Sequence, residues 1–260
     1  MKQSFLTLPR PFVCALIMQD SLAETIAAVH NADFAGAQAI GVHMRLMPQE
    51  DKTPERLAGL MESTVRPVLA MHYRGEPGGA LTDEDRAGFL LNAARAGASI
   101  VDVMGDFYAP SPREWTDDEA AVARQRRLIG EIHAAGSAVV MSSHLRESLT
   151  AEEVLSHLQS FEERGADVVK ILPQVNTEAE MQEAFRTELL LRRELKKSFI
   201  YVAGGRFGRH QRAIAPMFGS MLSFGAVPAH CREPVMFQSP VETLRALHDC
   251  LYEHLDTDLR

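Results

Sequence analysis

Eight short apolar runs alternate with longer helical stretches along the chain, and this alternation constrains the fold more than any other feature. The runs are rich in β-branched residues and are predicted strands at 12–18, 37–44, 67–73, 99–104, 138–142, 167–172, 199–203 and 221–225. Nearly continuous apolar strands between helices indicate a parallel sheet whose outer face is covered. Eight such units in 260 residues favour a (β/α)8 TIM barrel, as a single domain over residues 1–260. No Gly-x-Gly-x-x-Gly motif follows the first run, which argues against a Rossmann fold.

The ends of the predicted helices carry local signals. Helices are predicted at 22–35, 82–96, 117–135, 151–164 and 177–197. Four polar residues stand before acidic first turns and are predicted N-caps: Thr82, Thr116, Thr150 and Asn176. Glycines predict left-handed helix ends directly before strands at 36, 97, 136 and 165.

The composition excludes several functional classes. The formal net charge is −8, whereas nucleic-acid-binding proteins carry a basic surplus or stripe. Cys14, Cys231 and Cys250 are far apart and lack metal-binding spacing, so we expect a reducing compartment. No apolar run approaches the roughly 20 residues of a membrane helix, and Asp20 follows the first run directly. The sequence therefore predicts a cytoplasmic protein with no nucleic-acid or membrane partner.

Lys170 is the strongest candidate for chemistry, because it stands inside the apolar strand Val-Val-Lys-Ile-Leu. Burying an ammonium without a partner favours its neutral form, and a neutral amine can attack a ketone. In the alternative interpretation the ammonium reaches solvent or pairs with a nearby carboxylate. The position alone favours neither interpretation.

His144 ends the fifth predicted strand, next to the strand of Lys170. Neighbouring strands lie about 5 Å apart, so the imidazole and the amine are expected to face one small molecule. A loop histidine bonded to the backbone is the alternative. Ser142 and Ser143 are expected to serve packing and the turn.

A glycine-rich segment follows the seventh strand and opens a short helix. Backbone amides and a positive helix end suit an anion there, and Arg206, Arg209 and Arg212 supply charge. Arg212 is the preferred carboxylate ligand. The alternative is a turn whose arginines are solvated or pair with surface acids.

Weaker candidates lie at the ends of the second and third strands. His43, His72 and Tyr73, with Arg45 and Arg74 beside them, are expected to line the pocket or fill the upper barrel. Asp102, within the fourth strand, is expected to bond inside the barrel. The scattered histidines lack the spacing of a metal site, so no metal or cofactor is expected.

The segments around the two strongest candidates resemble type I 3-dehydroquinate dehydratase. These are Val-Val-Met-Ser-Ser-His ending at His144 and Gly-Ala-Asp-Val-Val-Lys-Ile around Lys170. The resemblance continues through the turn from Gly208 to Arg212 and through Phe-Gly-Ser-Met-Leu-Ser-Phe-Gly-Ala at 218–226. It spans nearly the whole chain.

The resemblance implies a lyase that forms an imine between Lys170 and a substrate ketone, with His144 as general acid–base. It further implies Arg212 as the carboxylate anchor and Phe224 as a pocket wall, and a homodimer. Other substrate-binding residues are expected at the mouth: His43, Tyr73, Arg74 and Gln238. The predicted substrate is 3-dehydroquinate or a related carboxylated cyclic ketone. A class I aldolase-like enzyme acting on another keto acid and a non-catalytic ligand-binding barrel are the alternatives.

Several positions depart from the family pattern. The Glu-x-Arg pair of strand two reads Gly41 and His43, and the arginine ending strand three reads Tyr73. The glutamate that orients the catalytic histidine falls at Pro77, with Glu76 one residue away. The two methionines of strand seven read Val202 and Gly204, and the last loop is longer, ending at Gln238. The imine-forming residues are kept, while the residues that bind ring hydroxyls are changed.

Overall fold

The computed structural model describes residues 3–75, 81–230 and 238–252. Its strands are β1 (Phe12–Ile17), β2 (Ala39–His43), β3 (Val68–Met71), β4 (Ile100–Met104), β5 (Ala138–His144), β6 (Val168–Leu172), β7 (Ser198–Tyr201), β8 (Leu222–Ala226) and β9 (Ser239–Pro240). Its helices are α1 (Leu22–Phe34), α2 (Pro54–Glu62), α3 (Asp83–Arg95), α4 (Glu119–Ala134), α5 (Ala151–Arg164), α6 (Glu178–Glu194), α7 (Gly208–Ile214) and α8 (Val241–Tyr252).

All paired strands are parallel, in the order β7-β6-β5-β4-β3-β2-β1-β8-β9. The sheet curls until its two sides meet, since the Met221 amide donates to the Phe199 carbonyl at 2.9 Å. Helices follow the strands and cover the outside of the sheet. The predicted TIM barrel is confirmed.

The core has two layers because strand side chains alternate between two faces. The inner layer fills the barrel with side chains such as Phe12, Leu69, Val140 and Ile200. The outer layer lies between sheet and helices and is the larger. Each fully buried aliphatic or aromatic side chain stabilises the fold by about 1.5–3 kcal/mol. The inner layer leaves polar side chains only toward the carboxyl end of the strands, where the chain places Lys170 and His144.

Two of the four predicted N-caps are wrong by one or two residues. Helix α4 is capped by Asp118, whose carboxylate accepts from the Ala121 amide, while Thr116 accepts from the Asp118 amide one turn earlier. Helix α6 is capped by Thr177, because Asn176 uses its side-chain oxygen on the Arg206 amide. In both cases the side chain of the predicted residue already accepts another hydrogen bond, outside the helix.

Thr82 and Thr150 cap their helices as predicted, and both form capping boxes. The four predicted glycines all have positive φ, between 86° and 103°. None of the helices in the described ranges combines the length and the hydrophobicity needed to cross a membrane.

Candidate active site

Lys170 lies inside the barrel, and only 4% of its side chain is exposed. Its Nζ donates to the Tyr73 hydroxyl at 2.5 Å and to Oδ2 of Asp102 at 3.1 Å, and lies 3.3 Å from Nε2 of His144. An ammonium has three hydrogens, and each meets an acceptor here. The amine therefore forms an ion pair with the Asp102 carboxylate and lies within hydrogen-bond distance of the His144 imidazole.

Asp102, on β4, is hydrogen-bonded to β5, to β6 and to the residue two positions after β3. Its Oδ1 accepts from the Ser142 hydroxyl at 2.5 Å, and its Oδ2 accepts from both Tyr73 and Lys170. The side chain is fully buried, so its contacts are desolvated and directional. Asp102 bonds inside the barrel as predicted, and Ser142 contributes a hydrogen bond beyond the packing role expected for it.

The pairing of β5 with β6 explains why His144 reaches Lys170. Ser142 is the register partner of Lys170, and His144 lies two residues further along β5. Side chains two residues apart on a strand share a face, so His144 points over the amine from the mouth side. The imidazole is about one quarter exposed, which leaves it open to a ligand entering from the mouth.

Glu114 holds the other side of the imidazole. Its Oε2 accepts from the His144 backbone amide at 2.8 Å and contacts Nδ1 of the ring at 2.9 Å. Burial raises the pKa of Glu114, but the hydrogen bonds and charge of His144 outweigh it, and the net pKa is lowered. Glu114 is therefore ionised at neutral pH, and Nδ1, the ring nitrogen of His144 that faces it, must carry a hydrogen.

Tyr73 and His43 form an aromatic wall beside the amine. The Tyr73 ring lies 4.4 Å from the His144 ring and 4.8 Å from the His43 ring, between centroids. Burial and the Asp102 carboxylate raise the pKa of Tyr73 well above its usual value, so the phenol keeps its proton. Burial and nearby cations lower the pKa of His43 well below its usual value, so that imidazole is neutral. The wall presents uncharged rings to a ligand.

Arg212 is a buried guanidinium at the same end of the barrel. Its Nε donates to the Ala203 carbonyl, just beyond β7, at 2.6 Å. Burial lowers the pKa of Arg212 to about 10, so it remains charged at neutral pH. No carboxylate pairs with it among residues 3–75, 81–230 and 238–252. A buried cation without a counter-ion is unfavourable, and a ligand carboxylate would relieve it.

Two further predicted residues border this region. The Phe224 ring centre lies 5.7 Å from Lys170 Nζ. Gln238 directly precedes Ser239, the register partner of Gly225 near the carboxyl end of β8. The Gln238 side-chain oxygen is buried and meets no hydrogen-bond donor in the described part of the chain.

Arg74 is engaged elsewhere. Its guanidinium forms ion pairs with Asp83 at 2.5 Å and Asp106 at 2.7 Å, which occupy both of its terminal nitrogens. His72 turns outward, stacks on Phe89 and lies 3.0 Å from Lys52 Nζ. Arg206 and Arg209 are exposed. Glu76 and Pro77 lie outside the described residues.

Glu114 carries no signal in the sequence that indicates a role. The segment 106–115 is an irregular connection rich in proline and serine, and no periodicity selects one acid within it. Asp102 had a clearer signal: like Lys170, it is a single charge within an apolar strand. The pairing of these two charges across β4 and β6 is a tertiary contact that neither strand indicates by itself.

Comparison with known proteins identifies the family. A family model described as type I 3-dehydroquinase matches residues 13–254. The chain belongs to this family. Among its relatives, 3-dehydroquinate dehydratase of Klebsiella pneumoniae is 26% identical over 221 residues, covering 83% of this chain and 84% of the relative. The enzyme of the same name from Methanosarcina mazei is 23% identical over 248 residues, covering 92% and 94%.

Solved structures of type I 3-dehydroquinases share the fold. The Clostridium difficile enzyme, crystallised with covalently modified comenic acid, superposes with a TM-score of 0.81 at 18% identity, covering 98% of this chain and 100% of that one. The Geobacillus kaustophilus enzyme superposes with a TM-score of 0.80 at 17% identity, covering 94% and 92%. The predicted family resemblance and the assignment to the lyases are confirmed, since the named relatives are hydro-lyases.

Proposed function

We propose that this protein dehydrates 3-dehydroquinate, or a closely related carboxylated cyclic ketone, through an imine on Lys170. The observation that carries the proposal is the 3.3 Å separation of Lys170 Nζ and His144 Nε2 within the barrel. A buried amine next to a ring nitrogen with a free lone pair is the arrangement that nucleophilic catalysis by lysine requires. The covalently modified comenic acid in the solved C. difficile relative supports covalent chemistry in this family.

The first step is proton transfer from the Lys170 ammonium to His144. The freed amine attacks the ketone carbon, and the carbonyl oxygen takes a proton from the His144 imidazolium to give a carbinolamine. Loss of that oxygen as water leaves a protonated imine. The charge then on nitrogen takes the place of the ammonium charge, next to the Asp102 carboxylate at 3.1 Å. Asp102 therefore stabilises the cation both before and after the carbon–nitrogen bond forms.

Elimination follows from the electron-withdrawing imine. Neutral His144 removes a proton from the carbon next to the imine, and an enamine forms. The enamine then expels the hydroxyl one carbon further on, which leaves as water with the proton held by His144. Water hydrolyses the conjugated imine and restores Lys170. Proton transfer by a positioned side chain contributes typically 10²–10⁴-fold to such a rate.

Arg212 is proposed to bind the substrate carboxylate. It is a buried guanidinium without an acidic partner in the described residues, and its fork geometry suits bidentate binding. The buried Gln238 oxygen is proposed to accept a substrate hydroxyl. Phe224, His43 and Tyr73 are proposed to enclose the ring with apolar and neutral surface.

Two glycines support a substrate shell that differs from the family pattern. A side chain at Gly41 would begin 3.1 Å from the Met71 methyl group, so the Met71 side chain already fills the space beside this position. A side chain at Gly204 would begin 2.6 Å from the Gln174 amide, so a methionine would not fit here unless Gln174 moved. Fewer ring-hydroxyl contacts mean weaker discrimination between cyclic ketones, since such contacts discriminate by up to about 10⁴–10⁵.

The test is steady-state dehydration of 3-dehydroquinate by the wild-type protein and by Lys170→Ala. We expect kcat/KM of Lys170→Ala to fall by about 10⁴-fold or more, because the nucleophile is lost. Lys197→Ala, at the exposed turn before β7, serves as the control and should retain wild-type turnover. Full activity in Lys170→Ala would end the imine mechanism. A wild-type kcat/KM above roughly 10⁵ M⁻¹s⁻¹ identifies 3-dehydroquinate as the substrate, and a much lower value favours the related ketone.

A further inference from the structure

Glu114 contacts His144 from a loop that does not supply the orienting glutamate in the family pattern. In that pattern the orienting glutamate precedes the glycine pair after strand three, a position that is Pro77 here. Glu114 comes instead from the connection between β4 and α4. We propose that Glu114 is the positioning residue that holds His144 in its acid–base orientation, a role that rests on the proposed function.

One carboxylate oxygen fixes the imidazole through two bonds. Oε2 accepts from the His144 amide at 2.8 Å and from Nδ1 at 2.9 Å, so both the strand end and the ring are tied to the same atom. A carboxylate only accepts hydrogen bonds, hence Nδ1 carries the hydrogen. The lone pair then lies on Nε2, which faces Lys170 Nζ at 3.3 Å. Glu114 thereby selects the tautomer that can take the lysine proton.

The backbone of Glu114 is constrained to make this contact. Its φ is 45°, in the left-handed region that non-glycine residues rarely adopt. The Ser143 hydroxyl donates to the Glu114 carbonyl at 2.6 Å and also contacts Nε2 of His157 at 2.8 Å. Since Ser143 has one hydrogen and gives it to Glu114, His157 is the donor in the second bond. A conformation that is unfavourable by itself and held by several contacts is typical of functional positions.

The loop that carries Glu114 is anchored at both ends. Arg74 bridges Asp106, near the start of the loop, and Asp83 on α3. Asp106 in turn accepts from the Ser111 amide at 2.8 Å. At the other end the Trp115 indole donates to Ser160 on α5 at 2.9 Å. Arg74 thus acts on the site by fixing the loop.

Titratable groups on each element packed against Glu114 act on its carboxylate. His144 on β5, chiefly through its hydrogen bonds, and the Lys170 ammonium on β6 both lower the pKa of Glu114. Asp106 in its own loop, Tyr73 after β3 and His157 on α5 are the other titratable groups within its field. Burial lowers the pKa of His157 to about 4, so it is neutral near pH 7. At neutral pH the ionised Glu114 therefore acts chiefly on His144 and Lys170.

The test compares Glu114→Gln with Glu147→Gln. Glu147 is half-exposed and pairs with Arg113, so its variant removes the same charge next to the loop without touching His144. We expect kcat of Glu114→Gln to fall by about 10²-fold with little change in KM. We also expect the acid limb of its pH–rate profile to move to lower pH, because the negative charge of the ionised carboxylate is lost. Glu147→Gln should match the wild type in both. An unshifted acid limb in Glu114→Gln overturns the proposal, since a merely structural defect would lower the rate without moving the limb.

A second measurement needs no substrate. In nitrogen-15 spectra of the wild-type protein, the His144 ring should carry its hydrogen on Nδ1 near neutral pH, and Glu114→Gln should lose this preference. A wild-type ring with its hydrogen on Nε2 overturns the role of Glu114 even if the enzyme is active. Conversely, an Nδ1 hydrogen together with an absence of imine formation supports the role of Glu114 in orienting the ring while refuting the proposed function.

Discussion

Lys170 and Arg212 are two buried cations, and they differ in whether an acidic side chain pairs with them. Lys170 has Asp102, Tyr73 and His144 around its ammonium, so its charge is balanced before any ligand enters. Arg212 has a backbone carbonyl and, within the described residues, no acid. A charge that the protein leaves unbalanced is balanced when an anion binds. In the proposed function, Lys170 therefore carries the chemistry and Arg212 binds the substrate carboxylate.

Arg212→Ala should raise KM by about 10²-fold, since truncating one partner of a buried charge pair typically costs 2–5 kcal/mol. We expect kcat to change far less, because Arg212 does not contact the amine or the imidazole in the structure. Steady-state kinetics with 3-dehydroquinate, or with the ketone found to be the substrate, measures both constants. Arg209→Ala, exposed on the same helix, is the control and should leave KM within about threefold. An unchanged KM in Arg212→Ala would remove Arg212 from the carboxylate site.

The connection between β4 and α4 carries Glu114, so the packing of this connection determines where the carboxylate lies. Gly105 begins this connection, directly after β4. A Cβ added at Gly105 would lie 2.6 Å from the Glu114 carbonyl and 2.2 Å from the Phe161 ring. Glycine is therefore required here by close approach of the loop and of α5. The same packing that closes the outer core also sets the position of Glu114.

Gly105→Ala should lower the free energy of unfolding by about 1–3 kcal/mol, the usual cost of overpacking. It should also slow turnover, because the loop must move away and Glu114 then loses His144. Denaturant unfolding and steady-state rates measure the two effects. Gly130→Ala is the matched control: nothing lies within 4 Å of its new methyl group, and alanine favours helix α4, so stability should be equal or higher. If Gly105→Ala were as stable and as active as Gly130→Ala, the close packing of the loop would not matter.

The elements also show which features the sequence predicts. Alternating apolar runs predict all eight main strands because burial on both faces leaves a strong local pattern. Helix caps are predicted less well, since Thr116 and Asn176 have suitable side chains that other contacts occupy. Arg74 is predicted beside the substrate because it follows strand three, yet two acids from α3 and the β4–α4 loop engage it. Which of several possible partners a polar side chain bonds is therefore decided by the tertiary structure.

For the whole molecule, the barrel brings together residues that are far apart in sequence. Lys170 and His144 could be predicted, because each ends or interrupts an apolar strand and the strands are consecutive. Their partners Asp102, Tyr73 and Glu114 come from three other connections or strands, and their contacts span 30 to 97 positions. Glu114 in particular depends on a left-handed backbone that no residue preference indicates. The sequence therefore predicts the two central residues of the candidate site, and the structure adds the side chains that surround them.

Lys52 provides an internal comparison for Lys170. Lys52 is the other buried lysine in the described residues, and it also lies beside a histidine, with Nζ 3.0 Å from His72 Nε2. However, Lys52 packs over Phe89 of α3, outside the sheet, whereas Lys170 lies within the barrel. If burial and a nearby imidazole were sufficient, both amines would form imines with a ketone. Access from the barrel mouth is expected to distinguish them.

Reduction with borohydride during turnover of 3-dehydroquinate, followed by mass analysis of peptides, tests this claim most directly. We predict one irreversible adduct per chain, on the peptide that contains Lys170, with Lys52 unmodified and with no adduct in Lys170→Ala. Dehydration that proceeds without any trapped adduct, or an adduct carried by Lys52, would contradict the imine mechanism at Lys170.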